Sequence, residues 1–244
     1  MKPFLILQLR PEADASDNEF HAILEKAGLS PDRAHRICLD RDPLPETLSL
    51  DRFAGVIVGG GPGCVSDPPD RKSPLDARME TAVMSLMPQI TANDIPFMGC
   101  CYGIGILGHH LGGDVSKARY SEDVGVSSCR LTGDGAADPL LAGFPDVFDA
   151  LVGHKEAVQA LPPGCAHLVS SGPCPFQMIR YKRNVYATQF HPEADAAVFH
   201  VRIDIYRHHG YFRPDEAEDI KAAIDAANVH APERILRNFV RTYA

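Results

Sequence analysis

The chain has 244 residues, of which 45% are hydrophobic and 23% are charged, and its formal net charge is −8 at pH 7. This composition excludes an intrinsically disordered chain, and an acidic balance without basic runs excludes binding to a nucleic-acid backbone. The most apolar stretch, Phe53 to Val65, is interrupted by glycine and proline and is too short to span a bilayer. We therefore expect a globular protein with neither a nucleic-acid nor a membrane partner.

In the first half of the chain, four strand patterns alternate with helix patterns. Apolar runs predict strands at 4–9, 36–39, 55–58 and 97–99. Helices are predicted after each strand pattern except the second. The first contains Ser16 and Glu19, which we interpret as a capping box, and ends at Gly28. The next begins with Ser73 as its cap, and the last follows Cys101 and ends near Gly112.

The second half changes character. Residues 124–190 are short, turn-rich and strand-like, which favours antiparallel strands, and helical patterns return near the C-terminus. The predicted fold class is α/β: a mostly parallel central sheet covered by helices on both faces, with antiparallel additions. We expect one domain, with a core at about 3–205 and a helical extension at about 206–244.

The seven cysteines are irregularly spaced and form no CxxC pair. Residues 1–10 are too short and too polar for a signal peptide, so reduced thiols in the cytoplasm are expected. No ligand spacing indicates a metal site, and no cofactor is expected. Most of the thiols are predicted to be small buried hydrophobic groups.

The cysteine at position 101 is the exception. Gly99 to Gly103 has the form glycine-x-nucleophile-x-glycine between a predicted strand and a predicted helix. Small flanking residues permit a tight turn that exposes the nucleophile at the end of the strand. The N-terminus of the following helix favours a thiolate, so we expect a lowered pKa for Cys101. A buried cysteine in an ordinary turn is the alternative.

A nucleophilic cysteine needs a base and a group that orients the base. His191 and Glu193 follow a predicted strand, and Pro192 between them ends that strand, so the carboxylate can reach the imidazole. Glu193 as a first-turn acid of the next helix is the alternative. The other histidines lie in polar or helix-end contexts, and we interpret them as solvated or structural.

A glycine run, Gly59 to Gly63, follows the third strand and offers backbone N–H groups to an anion. We interpret it as half of an oxyanion hole, with the N–H of Tyr102 as the other half. A phosphate loop is excluded because no Lys-Ser/Thr pair directly follows the last glycine of the run. Gly103 to Gly108 matches the dinucleotide pattern GxGxxG, but its glycines are predicted to lie inside a helix.

Together, Gly59 to Gly63, Gly99 to Gly103 and Gln189 to Glu193 resemble, in order and spacing, the class I triad-type glutamine amidotransferases. The segments 153–158 and 161–164 resemble the glutaminase part of GMP synthases and their stand-alone relatives. The resemblance covers about 55–193. It implies a flavodoxin-like fold and a C–N hydrolase that uses a cysteine nucleophile.

The resemblance also assigns roles to residues of this chain. Cys101 would attack the carboxamide of glutamine, His191 would act as base, and Glu193 would orient it. The N–H groups of Gly61 and Tyr102 would hold the oxyanion. Substrate-binding positions would be Gly60, Gly105 and Gly125. The ammonia would pass to a synthetase partner, since no synthetase domain is recognised in this chain.

One position departs from the family pattern. Gly105 stands where the family has a glutamine that helps bind the substrate, and the lost hydrogen bond costs about 0.5–1.5 kcal/mol. This departure leaves three functions open: release of ammonia from glutamine, hydrolysis of γ-glutamyl peptides or conjugates by the same triad, and a catalytically silent regulatory protein. The sequence identifies neither the acceptor nor the oligomeric state.

Overall fold

The computed structural model describes residues 1–244, and its centre is a nine-stranded sheet. The strand order in that sheet is β2-β1-β3-β4-β11-β10-β9-β6-β7, and β5 and β8 form a separate pair. The strands in chain order are β1 (Phe4–Gln8), β2 (Ala34–Cys38), β3 (Val56–Val58), β4 (Phe97–Cys100), β5 (Val115–Ser116), β6 (Glu122–Leu131), β7 (Val147–His154), β8 (Ala157–Val158), β9 (Cys165–Ser171), β10 (Met178–Tyr181) and β11 (Val185–Thr188).

Seven α-helices surround the sheet. They are α1 (Ala13–Ala27), α2 (Pro74–Asn93), α3 (Tyr102–His110), α4 (Gly133–Ala137), α5 (Ala196–Tyr206), α6 (Ala217–Asp225) and α7 (Glu233–Tyr243). The predicted cap of α2 is confirmed, since the Ser73 side chain accepts a hydrogen bond from the N–H of Asp76. The predicted end of α1 is also confirmed, because Gly28 adopts φ +67° there. None of these helices is both long and apolar enough to cross a membrane.

The predicted mixture of strand directions is confirmed. The five strands from β2 to β11 in the sheet order are parallel, whereas β11, β10, β9, β6 and β7 pair antiparallel. Strand β11 therefore lies where the two halves of the sheet join. It pairs with β4 in parallel, with Thr188 opposite Cys100, and this register brings the carboxyl ends of the two strands to one edge.

Alternate residues of the central strands point to opposite faces of the sheet. Phe4 and Ile6 of β1 pack with α1 and α7 on one face, whereas Leu5 and Leu7 pack with α2 and α3 on the other. Phe239 of α7 is fully buried and lies 6.0 Å from Phe4, between ring centroids. The C-terminal segment that we expected as an extension thus supplies part of the main core.

The predicted capping box at the start of α1 is wrong. The helix begins at Ala13, with Glu12 at the cap position. Ser16 and Glu19 consequently lie inside the helix, and both are buried. Their three-residue spacing places them on the inward face instead of at the helix end, where Glu19 has a different role.

Candidate active site

Cys101 lies on the turn between β4 and α3. Its backbone has φ +53° and ψ −88°, which is a strained conformation for any residue other than glycine. A side-chain carbon at Gly99 would lie 2.8 Å from the carbonyl carbon of Gly103, so the turn is too tight for a larger residue there. The N–H of Cys101 donates to the carbonyl of Thr188 at 2.8 Å. The predicted strand–turn–helix elbow is confirmed as a backbone feature.

His191 and Glu193 follow β11, the strand beside β4. His191 Nδ1 lies 2.8 Å from Glu193 Oε1, and both side chains are buried. Glu193 precedes α5, whose N-cap is Asp195, so it is not the first-turn acid of that helix. Because Nδ1 is engaged by the carboxylate, Nε2 of His191 is free to exchange a proton, and His191 and Cys101 line one cavity.

The sequence reading missed Arg202, which contacts this pair from α5. Its Nη1 lies 2.8 Å from Glu193 Oε1 and 3.2 Å from His191 Nδ1. The guanidinium is buried, and its Nε and Nη2 have no hydrogen-bond partner. Position 202 belongs to no motif, so only the packing of α5 against the sheet could reveal it.

Burial sets the protonation states of the site. It raises the pKa of the Cys101 thiol to about 12, outweighing the positive charge of Arg10. Burial also lowers the pKa of His191 below its usual 6.5, despite the nearby Glu193. Burial alone would raise the pKa of Glu193, but the charges of His191 and Arg202 outweigh it and hold that pKa well below its ordinary range. The lowered thiol pKa expected from the sequence is therefore wrong, because burial favours the neutral thiol.

The glycine loop after β3 borders the same cavity. The N–H of Gly61 makes no hydrogen bond within the protein. Tyr102 is the first residue of α3, so its N–H has no partner inside the helix. Both residues line a cavity together with Cys101, which is compatible with the predicted pair of oxyanion donors. Gly60 differs, because its N–H donates to Glu19 Oε1 at 3.0 Å and is not free for a substrate.

Glu19 and Arg10 form a buried ion pair behind this loop. Arg10 Nε donates to Glu19 Oε1 at 2.9 Å, and Arg10 Nη1 donates to the hydroxyl of Tyr206 at 3.2 Å. Burial alone would lower the pKa of Arg10, but Glu19 outweighs it and raises that pKa. The sequence analysis missed this pair, because Arg10 belongs to none of the motifs.

Gly105 lies against the carboxylate of Glu156. A Cβ at this position would lie 2.9 Å from Glu156 Oε1 and 3.3 Å from Val65 Cγ2. Glu156 Oε1 accepts the N–H of Val65 at 2.8 Å, and Oε2 accepts the N–H and the hydroxyl of Ser66 at 2.9 and 2.6 Å. The carboxylate is thus fixed by three donors. A side chain at position 105 would therefore have to displace the carboxylate of Glu156.

We expect Gly105→Ala to destabilise the protein relative to Gly103→Ala. Both changes gain the same helix propensity in α3, but a Cβ at Gly103 meets its nearest atoms at 3.9 Å. Displacing Glu156 from its donors is expected to cost about 1–3 kcal/mol. Urea unfolding of the two variants measures the difference, and equal stabilities would show that Glu156 moves freely.

The cleft at Cys101 has two lobes that share Cys101, Gly61, Gly153 and Tyr211. We call one the Gly105 lobe. Its other lining residues are Pro62, Gly63, Cys64, Tyr102, Gly105, Val115, His154, Lys155, Glu156, Ala157 and Gln189. We call the other the Arg10 lobe. Its other lining residues are Arg10, Val124, His191, Phe199, Arg202, Ile203, Tyr206 and Phe212. Gly125, which the sequence reading placed at the substrate, lies in β6 and lines neither lobe.

Three side chains with metal-ligating atoms cluster beside the Gly105 lobe. Glu122, His154 and Cys174 place one such atom each within 4.8 Å of the others. His154 Nε2 lies 3.0 Å from Glu122 Oε2, and the amide of Gln177 donates to the same oxygen at 2.5 Å. Hydrogen bonds account for the positions of the Glu122 and His154 side chains. Sequence spacing could not reveal it, because the residues come from β6, β7 and a later loop.

Two proteins named GMP synthase (glutamine-hydrolyzing) are similar to part of this chain. The one from Lactococcus lactis subsp. lactis is 36% identical over 146 residues, and the one from Neisseria gonorrhoeae is 29% identical over 152 residues. These matches cover 59% and 62% of this chain but 25% and 26% of the relatives. The chain therefore corresponds to about a quarter of their length.

Solved structures share the fold at low sequence identity. A glutamine amidotransferase from Thermotoga maritima is 18% identical, with a TM-score of 0.78, over 100% of this chain and 98% of the other. A glutamine amido transferase from Methylobacillus flagellatus is 21% identical, with a TM-score of 0.73, over 100% and 96%. The family profile described as Glutamine amidotransferase class-I matches residues 17–203, more than half of the chain. The chain belongs to the class I glutamine amidotransferase family.

Proposed function

We propose that the protein hydrolyses the γ-carboxamide of glutamine through a thioester on Cys101. The observation that carries the proposal is the buried contact between His191 Nδ1 and Glu193 Oε1 in the cavity that also contains the Cys101 elbow. A nucleophile, a base and a group that fixes the base are the minimum for acyl transfer.

In the proposed reaction, His191 Nε2 accepts the thiol proton while the sulfur of Cys101 bonds to the carbonyl carbon of the γ-carboxamide. The N–H groups of Gly61 and Tyr102 stabilise the oxyanion. The C–N bond then breaks, and ammonia leaves with the proton from His191. Water next attacks the thioester and gives a proton to His191, the C–S bond breaks, and the thiol recovers its proton as glutamate leaves.

The direct test is to incubate the protein with glutamine and to quantify ammonia and glutamate together. A glutamine-like chloroketone then identifies the nucleophile by mass spectrometry. We expect label on Cys101, whose proton His191 can accept in the proposed reaction, and not on Cys64, which lines the same lobe. Equal labelling of both, with no ammonia, would instead indicate a catalytically silent protein.

The fate of the ammonia is the second part of the proposal. The name of the curated relatives joins glutamine hydrolysis to GMP synthesis. We therefore propose that a synthetase accepts the ammonia. Stimulation of the glutaminase rate on addition of the synthetase supports this, whereas a rate unchanged at saturating synthetase contradicts it.

The activity should depend on pH through one acidic limb. His191 must be neutral to accept a proton, and burial lowers its pKa below 6.5, so kcat/KM should rise with pH below 6.5 and then stay level. The thiol, with a pKa of about 12, adds no limb near neutrality.

In Arg202→Met the loss of a positive charge should move the acidic limb of kcat/KM to higher pH, and Arg202→Lys should restore the wild-type position of that limb. A limb above pH 7 in the wild type would contradict this assignment.

A further inference from the structure

The position of His191 indicates where a leaving group must go. The base that takes the thiol proton must later protonate the departing nitrogen, so that nitrogen has to lie on the side of His191. His191 lines the Arg10 lobe and is absent from the Gly105 lobe. With Cys101 at the junction, the acyl part belongs in the Gly105 lobe and the amine in the Arg10 lobe.

The Arg10 lobe is larger than ammonia requires. Its volume is about 50 Å³, whereas about 10–15 Å³ on the same measure is enough for one molecule of the size of water. Most of its wall is apolar or aromatic, with Phe199, Ile203 and Phe212 among the lining residues. Such a wall accommodates the carbon skeleton of an amine and offers nothing specific to ammonia.

Arg10 and Arg202 are the cationic side chains of this lobe, and Arg202 contacts the carboxylate of Glu193. The Nε and Nη1 of Arg10 are engaged by Glu19 and Tyr206, whereas its Nη2 makes no hydrogen bond. Arg10 and His191 both line this lobe, and both side chains pack close to Gly60. Arg10 is 6% exposed, and an unpaired cationic donor held in that way is suited to a carboxylate.

We propose that the Arg10 lobe is a leaving-group subsite for amines that carry a carboxylate, so that γ-glutamyl amides of amino acids are substrates. The proposal rests on the acyl transfer by Cys101 described above. Cys101 sulfur bonds to the carbonyl carbon of the γ-glutamyl amide, the C–N bond breaks, and the amino acid leaves with the proton from His191. Water then hydrolyses the thioester to glutamate, as for glutamine.

Two substrates of nearly equal size test the subsite. γ-Glutamylglycine carries a carboxylate on its leaving amine, and γ-glutamylglycinamide carries an uncharged amide at the same place. We expect the wild type to prefer the acid by at least 10-fold in kcat/KM. The preference should fall to within about two-fold in Arg10→Met, since the methionine side chain offers no donor.

The variant must also be separated from a general loss of structure. Arg10→Met/Glu19→Gln removes both charges and strands no buried carboxylate, and the ratio of the two substrates on one variant cancels any loss of folded protein. A preference that survives in both variants overturns the subsite. So does a wild type that hydrolyses glutamine and shows no preference, and the proposed function then stands. Failure of the wild type to hydrolyse any of the three compounds overturns the proposed function itself.

Discussion

Replacement of Cys101 by alanine should lower kcat for glutamine hydrolysis by roughly 10³–10⁶-fold, the range found when a nucleophile is removed from a hydrolase triad. The fold should persist, because the change removes one sulfur atom and leaves the same strained backbone requirement at φ +53°. Ammonia release at saturating glutamine measures the effect. Thermal unfolding of the same sample shows whether the protein is folded.

Cys100→Ala is the matched control for that experiment. Cys100 precedes Cys101, is completely buried, and packs in the hydrophobic core with Phe4 and Met98. Its loss should reduce stability by about 1 kcal/mol and leave the glutaminase rate within a few-fold. Ammonia release above a tenth of the wild-type rate in Cys101→Ala would show that another group is the nucleophile.

Glu19→Gln should destabilise the protein by about 3 kcal/mol, although Glu19 lines neither lobe of the cleft. The change keeps the shape of the side chain and removes the charge that compensates the buried guanidinium of Arg10. It also weakens the acceptor for the N–H of Gly60, so the loop that contains Gly61 is expected to lose its position and kcat should fall. Urea unfolding and ammonia release measure the two effects.

Glu25→Gln provides the comparison on the same helix. The Glu25 side chain is 74% exposed, and its contact is with Lys26 at 3.1 Å, so its removal should change the free energy of unfolding by no more than about 0.5 kcal/mol. If both variants lose the same stability, the ion pair of Arg10 and Glu19 is not the cause.

The elbow at Cys101 could be predicted from the sequence because its constraints are local. Glycines on both sides of a nucleophile at a strand end leave few backbone conformations, and the structure has that turn. The contact between His191 and Glu193 is equally local, with one proline between the two residues. Each feature depends on a short segment and a strand end, which sequence patterns describe well.

Arg10, Glu19 and Arg202 could not be predicted, for a physical reason. A charged side chain is normally exposed, and its burial becomes tolerable only when a partner from another element compensates it. Glu19 was misread as half of a capping box because its spacing from Ser16 suits a helix start as well as an inward face. The replacement of a glutamine by Gly105 was visible in the sequence. The contact of Glu156 with Gly105 was not visible there, because Glu156 comes from a distant loop.

Because of the place of β11 in the sheet, enzymatic activity should return only when β4 and β11 have paired. Cys101 and Gln189 lie 88 positions apart in the chain, and the pairing of β4 with β11 brings them to one edge of the sheet. Contacts between such distant segments carry a high loop-closure entropy, which favours their late formation. A refolding chain can therefore recover its helices and first strands while it still lacks a base beside the thiol. Return of ammonia release should lag behind the return of helical signal.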